Sequence, residues 1–144
     1  MQETATRLSR VGFDNILGHL QGGIKAWDEN DLHTMQSISS EKFASIYKQD
    51  NAIHIIDVRK ASEYNSQHIK GAELTPLGNF DKQYDELITT NENFVHCAGG
   101  YRSVIAGSLL NKQGINNIIN VEGGFIAIKE TAIPLSDLIC PTTL

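Results

Sequence analysis

Asn93-Phe94-Val95-His96-Cys97-Ala98-Gly99-Gly100-Tyr101-Arg102-Ser103 is the stretch on which the reading of this chain turns. A short apolar strand runs into a cysteine, then a glycine-rich turn, then a helix-like run from Val104 to Lys112. Glycines let successive amides turn inward, and the first N–H groups of a helix lack intrahelical partners. Together they form a positively polarised cup for an anion. A cysteine at the rim of such a cup has a lowered pKa and is partly thiolate. Arg102 adds a fixed charge and a fork suited to an oxyanion. Two readings follow. One is an enzyme with a nucleophilic Cys97 working on or through an anionic group. The other is a buried apolar cysteine that ends a core strand, which leaves the glycines and the arginine unexplained.

Outward from this stretch, strands alternate with helices. Downstream, Ala106, Leu109 and Leu110 are expected to bury one face of the helix. Asn117 to Val121 reads as a strand, Gly124 to Glu130 as a closing helix, and Pro134 and Pro141 as the end of regular structure. Upstream, Phe80 to Ile88 reads as helix and Ala72 to Thr75 as a short strand. Ala61 to Tyr64 suits a short helix, and Ala52 to Val58, apolar except for His54, suits a strand buried on both faces. Ser39 and Ser40 are candidate N-caps for a helix to about Lys48 with Phe43, Ala44 and Tyr47 on its apolar face, preceded by a strand over Met35 to Ile38. The alternation predicts an α/β fold with an open, mainly parallel sheet covered by helices on both faces.

Ligand sites in such sheets gather at the carboxyl ends of the strands, where Asp57-Val58-Arg59 falls. Asp57 is expected to accept loop amides and Arg59 to pair with a carboxylate such as Glu63, organising the rim. His68 reads as a turn-stabilising hydrogen-bond partner. His96, one residue before the cysteine in a strand, points to the opposite face and is a poor general base. Tyr101 belongs to the pocket mouth or to loop packing, and Cys140, near the end, to an incidental thiol rather than a resolving one.

The 144 residues suffice for one sizeable core. Seventeen acids against 12 bases give a net charge of -5, which disfavours nucleic acid as a partner. No apolar run approaches a membrane span, and two cysteines, Cys97 and Cys140, suggest no disulfide framework. The expected setting is cytoplasmic, where a free thiol survives. The five histidines show no metal-ligand spacing, so no metal and no cofactor are expected.

A partial internal similarity links Val11–Trp27, with its Gly22-Gly23 pair, to Gly114–Lys129, with Gly123-Gly124. The first copy reads as turn, short strand, double-glycine turn and helical start. It lacks a cysteine loop, which leaves it packing or assembly, including a homodimer, with Phe13 and Trp27 as apolar area to bury.

Four ordered signals now carry a resemblance. They are Asp57-Val58-Arg59 with Glu63-Tyr64, His68-Ile69-Lys70-Gly71-Ala72, Cys97 through Arg102, and Val121-Glu122-Gly123-Gly124. In this order they resemble a single rhodanese domain, the sulfurtransferase fold. The resemblance implies a domain over residues 34–133, an amino-terminal extension over 1–33 and a tail over 134–144. It further implies that Cys97 is the sulfur-carrying nucleophile, that Ala98, Gly99, Gly100, Tyr101 and Arg102 surround its outer sulfur, and that Asp57, Arg59 and Ser103 support the site. The implied partners are a small sulfur donor and a thiol acceptor, which includes a protein acceptor. A persulfide carrier, sensor or binding module is the alternative. Four residues separate Cys97 from Arg102, one fewer than in related cysteine phosphatases and arsenate reductases, so the ring suits a sulfur atom better than a tetrahedral oxyanion. Residues 11–27 also resemble the segment that joins a metallo-β-lactamase-like domain to a rhodanese domain in bacterial fusion proteins. The sequence reads equally as a piece of a longer protein and as a natural short form.

Overall fold

Successive residues of a strand face opposite sides, and here both sides are apolar. The computed structural model of the chain describes residues 3, 5–6, 15–29, 32, 34–50, 52–79 and 92–139. They fall into two units, Met1–Thr34 and Met35–Leu144. The second unit contains β1 (Gln36–Ile38), α1 (Ser40–Gln49), β2 (His54–Asp57), α2 (Ala61–Ser66), β3 (Glu73–Leu74), β4 (Asn93–His96), α3 (Tyr101–Lys112), β5 (Ile118–Val121) and α4 (Gly124–Ile128). The five strands form one sheet in the order β1-β5-β4-β2-β3, with every pairing parallel. β4 is therefore central, and Cys97 leaves the sheet at its middle.

The register sorts the side chains into two layers. Ile55, Phe94 and Ile119 join Phe43, Val121, Phe125 and Ile128 in one cluster. Their strand neighbours Ile56, Val95 and Ile118 join Cys97, Ala106 and Leu110 in the other. α1 and α4 pack together on the first face, while α3 lies along β4 and β5 on the second. The open parallel α/β sheet with helices on both faces is thus the observed architecture.

Local signals set most boundaries. The Ser39 hydroxyl accepts the Lys42 amide at 3.2 Å, capping α1. Phe43, wholly buried, meets Phe94 with ring centroids 5.4 Å apart. β2 and β3 are shorter than expected. α2 runs two residues further than expected, to Ser66, and α4 ends at Ile128 rather than Glu130. The expected helix over Phe80 to Ile88 lies outside the described residues, as do Cys140 and Pro141.

Two expectations are corrected. Leu109 is not a core residue of α3. It is 38% exposed, and the buried stripe is Ser103, Ala106, Gly107 and Leu110. The i, i+3, i+4, i+7 spacing from Ser103 places the stripe one residue away from Leu109. Gly107 is part of it because a Cβ there would meet Met35 and Ile118. As expected, no helix or named strand among the described residues follows Pro134, but the backbone keeps pairing with the domain. Residues 134–139 run antiparallel beside 66–70, with Lys70 N–H donating to Pro134 O at 3.0 Å and Ser136 N–H to His68 O at 2.8 Å. In the amino-terminal unit, the short strand is not formed at residues 15–20. The double-glycine turn is present, with Gly22 and Gly23 at φ of 88° and 62° leading into a 3-10 turn over Gly23–Ala26.

His68 stabilises its turn: Nδ1 lies 2.9 Å from Tyr64 O, and the ring stacks on Tyr64 at 3.8 Å. No helix among the described residues is long and apolar enough to cross a membrane.

Because Leu110 is 1% exposed and Leu109 is not buried, Leu110→Ala is expected to cost about 3 kcal/mol of stability. Leu109→Ala is expected to cost at most about 1 kcal/mol. Chemical denaturation of both variants measures the difference, and equal losses would contradict this assignment of the helix face.

Candidate active site

The strand–turn–helix junction aims donors at one sulfur. Cys97 follows β4 and is 1% exposed. Gly100, the N-cap of α3, has φ of 101°, a conformation that favours glycine. This turn directs the Gly100 N–H to Cys97 Sγ at 3.1 Å. Ser103 Oγ lies 3.6 Å from the same sulfur and 3.0 Å from Gly100 O, so its single proton can serve either acceptor. Burial pushes the Cys97 thiol up, but the Ser103 hydroxyl and the amides of Ser103, Gly100 and Gly99 outweigh it and hold the pKa below that of an ordinary thiol.

A second turn grips the loop from behind. Phe125 N–H donates to Cys97 O at 2.7 Å, and Ile126 N–H to Ala98 O at 3.0 Å. These donors belong to the first turn of α4, where N–H groups have no partner within the helix. Gly124 permits the approach. It has φ of 56°, and a Cβ there would collide with the Cys97 carbonyl and lie 2.8 Å from Ala98 C and O.

The charged rim differs from expectation in its pairing. Arg59 pairs with Asp57, not Glu63: its Nη2 and Nε donate to Asp57 Oδ2 at 2.7 and 2.9 Å. The Arg59 amide also donates to Asp57 Oδ1 at 3.0 Å, so Asp57 does accept a loop amide. Arg59 further donates to Gln67 O at 2.8 Å and covers the Phe125 ring at 4.0 Å. Both members of this ion pair are buried, and removing one would strand the other. Glu63 instead takes the fork of Arg102, at 2.7 and 2.9 Å, and accepts the Lys60 amide at 3.1 Å.

His96 lies on the sheet face opposite Cys97, stacked on Phe125 at 6.2 Å. Burial lowers its pKa and so keeps the ring neutral at pH 7. Its Nε2 is 3.7 Å from Asp57 Oδ2, beyond hydrogen-bond length. Tyr101 is 80% exposed. Among the described residues, no group of three or more His, Cys, Asp or Glu side chains is placed to hold a metal.

The structure thus brings Cys97, Gly99, Gly100 and Ser103 together around the sulfur, and sets Arg102, Asp57 and Arg59 around them. Sequence reasoning did not anticipate the grip of Gly124, Phe125 and Ile126 or the role of Glu63 at Arg102. Both lay within motifs singled out above, but the contacts join segments far apart in the chain.

Comparison with known proteins agrees with this geometry. The rhodanese-like domain family matches residues 39–131. This chain belongs to that family. YrkF of Bacillus subtilis, named a putative sulfur carrier protein, is 36% identical over 110 residues, covering 76% of this chain and 59% of that protein. YqhL of the same organism, an uncharacterised protein, is 32% identical over 91 residues, covering 63% of this chain and 70% of its own length. A tRNA uridine(34) hydroxylase of Protochlamydia amoebophila is 31% identical over 65% of this chain, but this chain spans only 32% of it. Among solved structures, the rhodanese-like domain of Alr3790 from Anabaena matches with a TM-score of 0.66 at 27% identity, covering 74% of this chain and 82% of that one.

Two outcomes are expected. Gly124→Ala displaces the loop that aims the amides at Cys97. It is expected to raise the thiol pKa and slow alkylation of Cys97 at neutral pH about fivefold, read by peptide mass across a pH series with folding checked by circular dichroism. An unchanged profile would show that the grip does not matter. Separately, the Arg102 fork lowers the Glu63 carboxyl from 4.5 to about 2. Because the folded-state value is depressed, this stabilisation is present above pH 4.5 and is lost as the pH falls to about 2. Glu63→Gln is expected to cost ~1 kcal/mol at pH 7, discounted for solvent screening, with the gap to wild type closing toward acid in pH-dependent denaturation.

Proposed function

We propose that this protein is a sulfurtransferase that carries sulfane sulfur as a Cys97 persulfide. The observation that supports this most directly is the Cys97 sulfur lying 3.1 Å from the Gly100 amide at the start of α3. Cys97 thiolate attacks the outer sulfur of thiosulfate, a persulfide or a polysulfide. A new S–S bond forms as the donor's S–S bond breaks, and sulfite or a thiolate leaves with the electron pair. A thiol or other nucleophile then takes the outer sulfur and regenerates Cys97 thiolate. Charge moves from the thiolate to the terminal persulfide sulfur, and amides already aimed at the loop need little reorientation to follow it.

A second reading, a persulfide carrier that passes its sulfur to another protein without turning over small acceptors, is favoured by the similarity to YrkF, named a putative sulfur carrier protein. The similarity to the tRNA hydroxylase covers under a third of that protein and supports no hydroxylation here. Either reading places the work in a reducing compartment.

Incubation with thiosulfate or a persulfide, followed by intact mass measurement, is expected to show a gain of one sulfur that maps to Cys97. Cys97→Ser is expected to lower transfer by about three orders of magnitude or more. Turnover with a small thiol acceptor favours the enzyme, and stable loading without turnover favours the carrier. A Cys97→Ser protein that transfers sulfur at the wild-type rate would rule out both.

A further inference from the structure

Charge at the rim of the Cys97 loop is cancelled pair by pair, and this bears on which donor the site takes. Arg102 is the cation within the loop segment, and its fork is filled by the two carboxylate oxygens of Glu63 at 2.7 and 2.9 Å. Arg59 is buried and filled by Asp57. Lys60 is exposed, so its charge is screened by water. The exposed side chains beside the loop, Tyr101, Val104 and Ile126, add apolar surface and no charge. Among the described residues, the remaining attraction for an anion comes from the amide cup.

Donors differ in how much charge they bring to that rim. Attack on thiosulfate brings a thiolate against a dianion, and sulfite departs as a dianion. Attack on the outer sulfur of an alkyl persulfide, which is the anion R–S–S⁻ at neutral pH, brings the thiolate against a monoanion; the alkyl thiolate departs and the outer sulfur keeps its negative charge on Cys97. Both steps balance, but the first gathers one more negative charge and so gains more from an unspent cation at the mouth. We infer that Glu63 is a specificity-determining residue that, by occupying Arg102, biases the site against thiosulfate and toward sulfane sulfur borne on a thiol. This rests on the sulfur-transfer reading above. Arg102 then holds α3 to α2 and positions the loop, while Glu63 acts on donor choice through the charge it removes.

The test compares loading rates of Cys97, by intact mass at fixed pH and ionic strength, with thiosulfate and with a low-molecular-weight alkyl persulfide whose alkyl group carries no charge. Intrinsic donor reactivity cancels when the thiosulfate-to-persulfide ratio is compared among variants. Glu63→Gln leaves Arg102 with an uncharged partner and is expected to raise that ratio about tenfold. Arg102→Gln leaves the carboxylate unmatched and is expected to lower it, and the double variant is expected to return near wild type. Thermal unfolding checks that each variant is folded, and Arg102→Gln provides an independent arm. A ratio that stays constant across the folded variants would overturn the assignment to Glu63 while leaving sulfur transfer intact. Wild-type protein that gains sulfur from neither donor would overturn the transfer reading and this inference with it.

Discussion

The hydrogen bond from the Phe125 amide to the Cys97 carbonyl, 2.7 Å long, joins the two halves of the site. A loop that points its amides at a sulfur turns its carbonyls away, and those carbonyls need donors of their own once buried. The first turn of α4 supplies them, to Cys97 and to Ala98. This requires that α4 begin against the loop, and only a glycine at 124 leaves room for that. The cup on one side and the grip on the other are therefore one arrangement, each satisfying what the other leaves open.

The buried ion pair extends the same logic. Asp57 ends β2 beside His96 in register, and it holds Arg59 by both carboxylate oxygens. The Arg59 guanidinium then lies over the Phe125 ring whose backbone grips the loop. Packing and charge pairing thus run from the end of β2 through Arg59 and Phe125 to Cys97. The worth of such a pair is mostly the cost of breaking it, since either charge alone would be buried without compensation. On the outer side, the Glu63–Arg102 fork ties α2 to α3 in partial contact with water, where screening makes it contribute less to stability.

Much of the architecture was legible from the chain. Strands such as Ile118–Val121 and Asn93–His96 are buried throughout, and a run of that kind between turn signals reads as a central parallel strand. Cys97, Gly100 and Arg102 were legible as a candidate site because a thiol, a turn and a fixed charge fall within six residues of sequence. Leu109 was misread because helical spacing alone does not choose between adjacent stripes. The choice fell to Gly107, whose missing side chain lets α3 approach Met35 and Ile118.

What the sequence by itself determined is the set of local geometries: the Ser39 cap of α1, the left-handed glycines and the polarised start of α3 at Cys97. These depend on neighbours a few residues apart, so the order of the residues suffices. Pairing was decided only in the tertiary structure. Glu63 lies four residues from Arg59, yet it meets Arg102, 39 residues away, because Arg59 is already held by Asp57 at the end of β2. Charges and carbonyls choose partners by distance in space, and that distance exists only once the sheet has brought the ends of β2, β4 and β5 side by side.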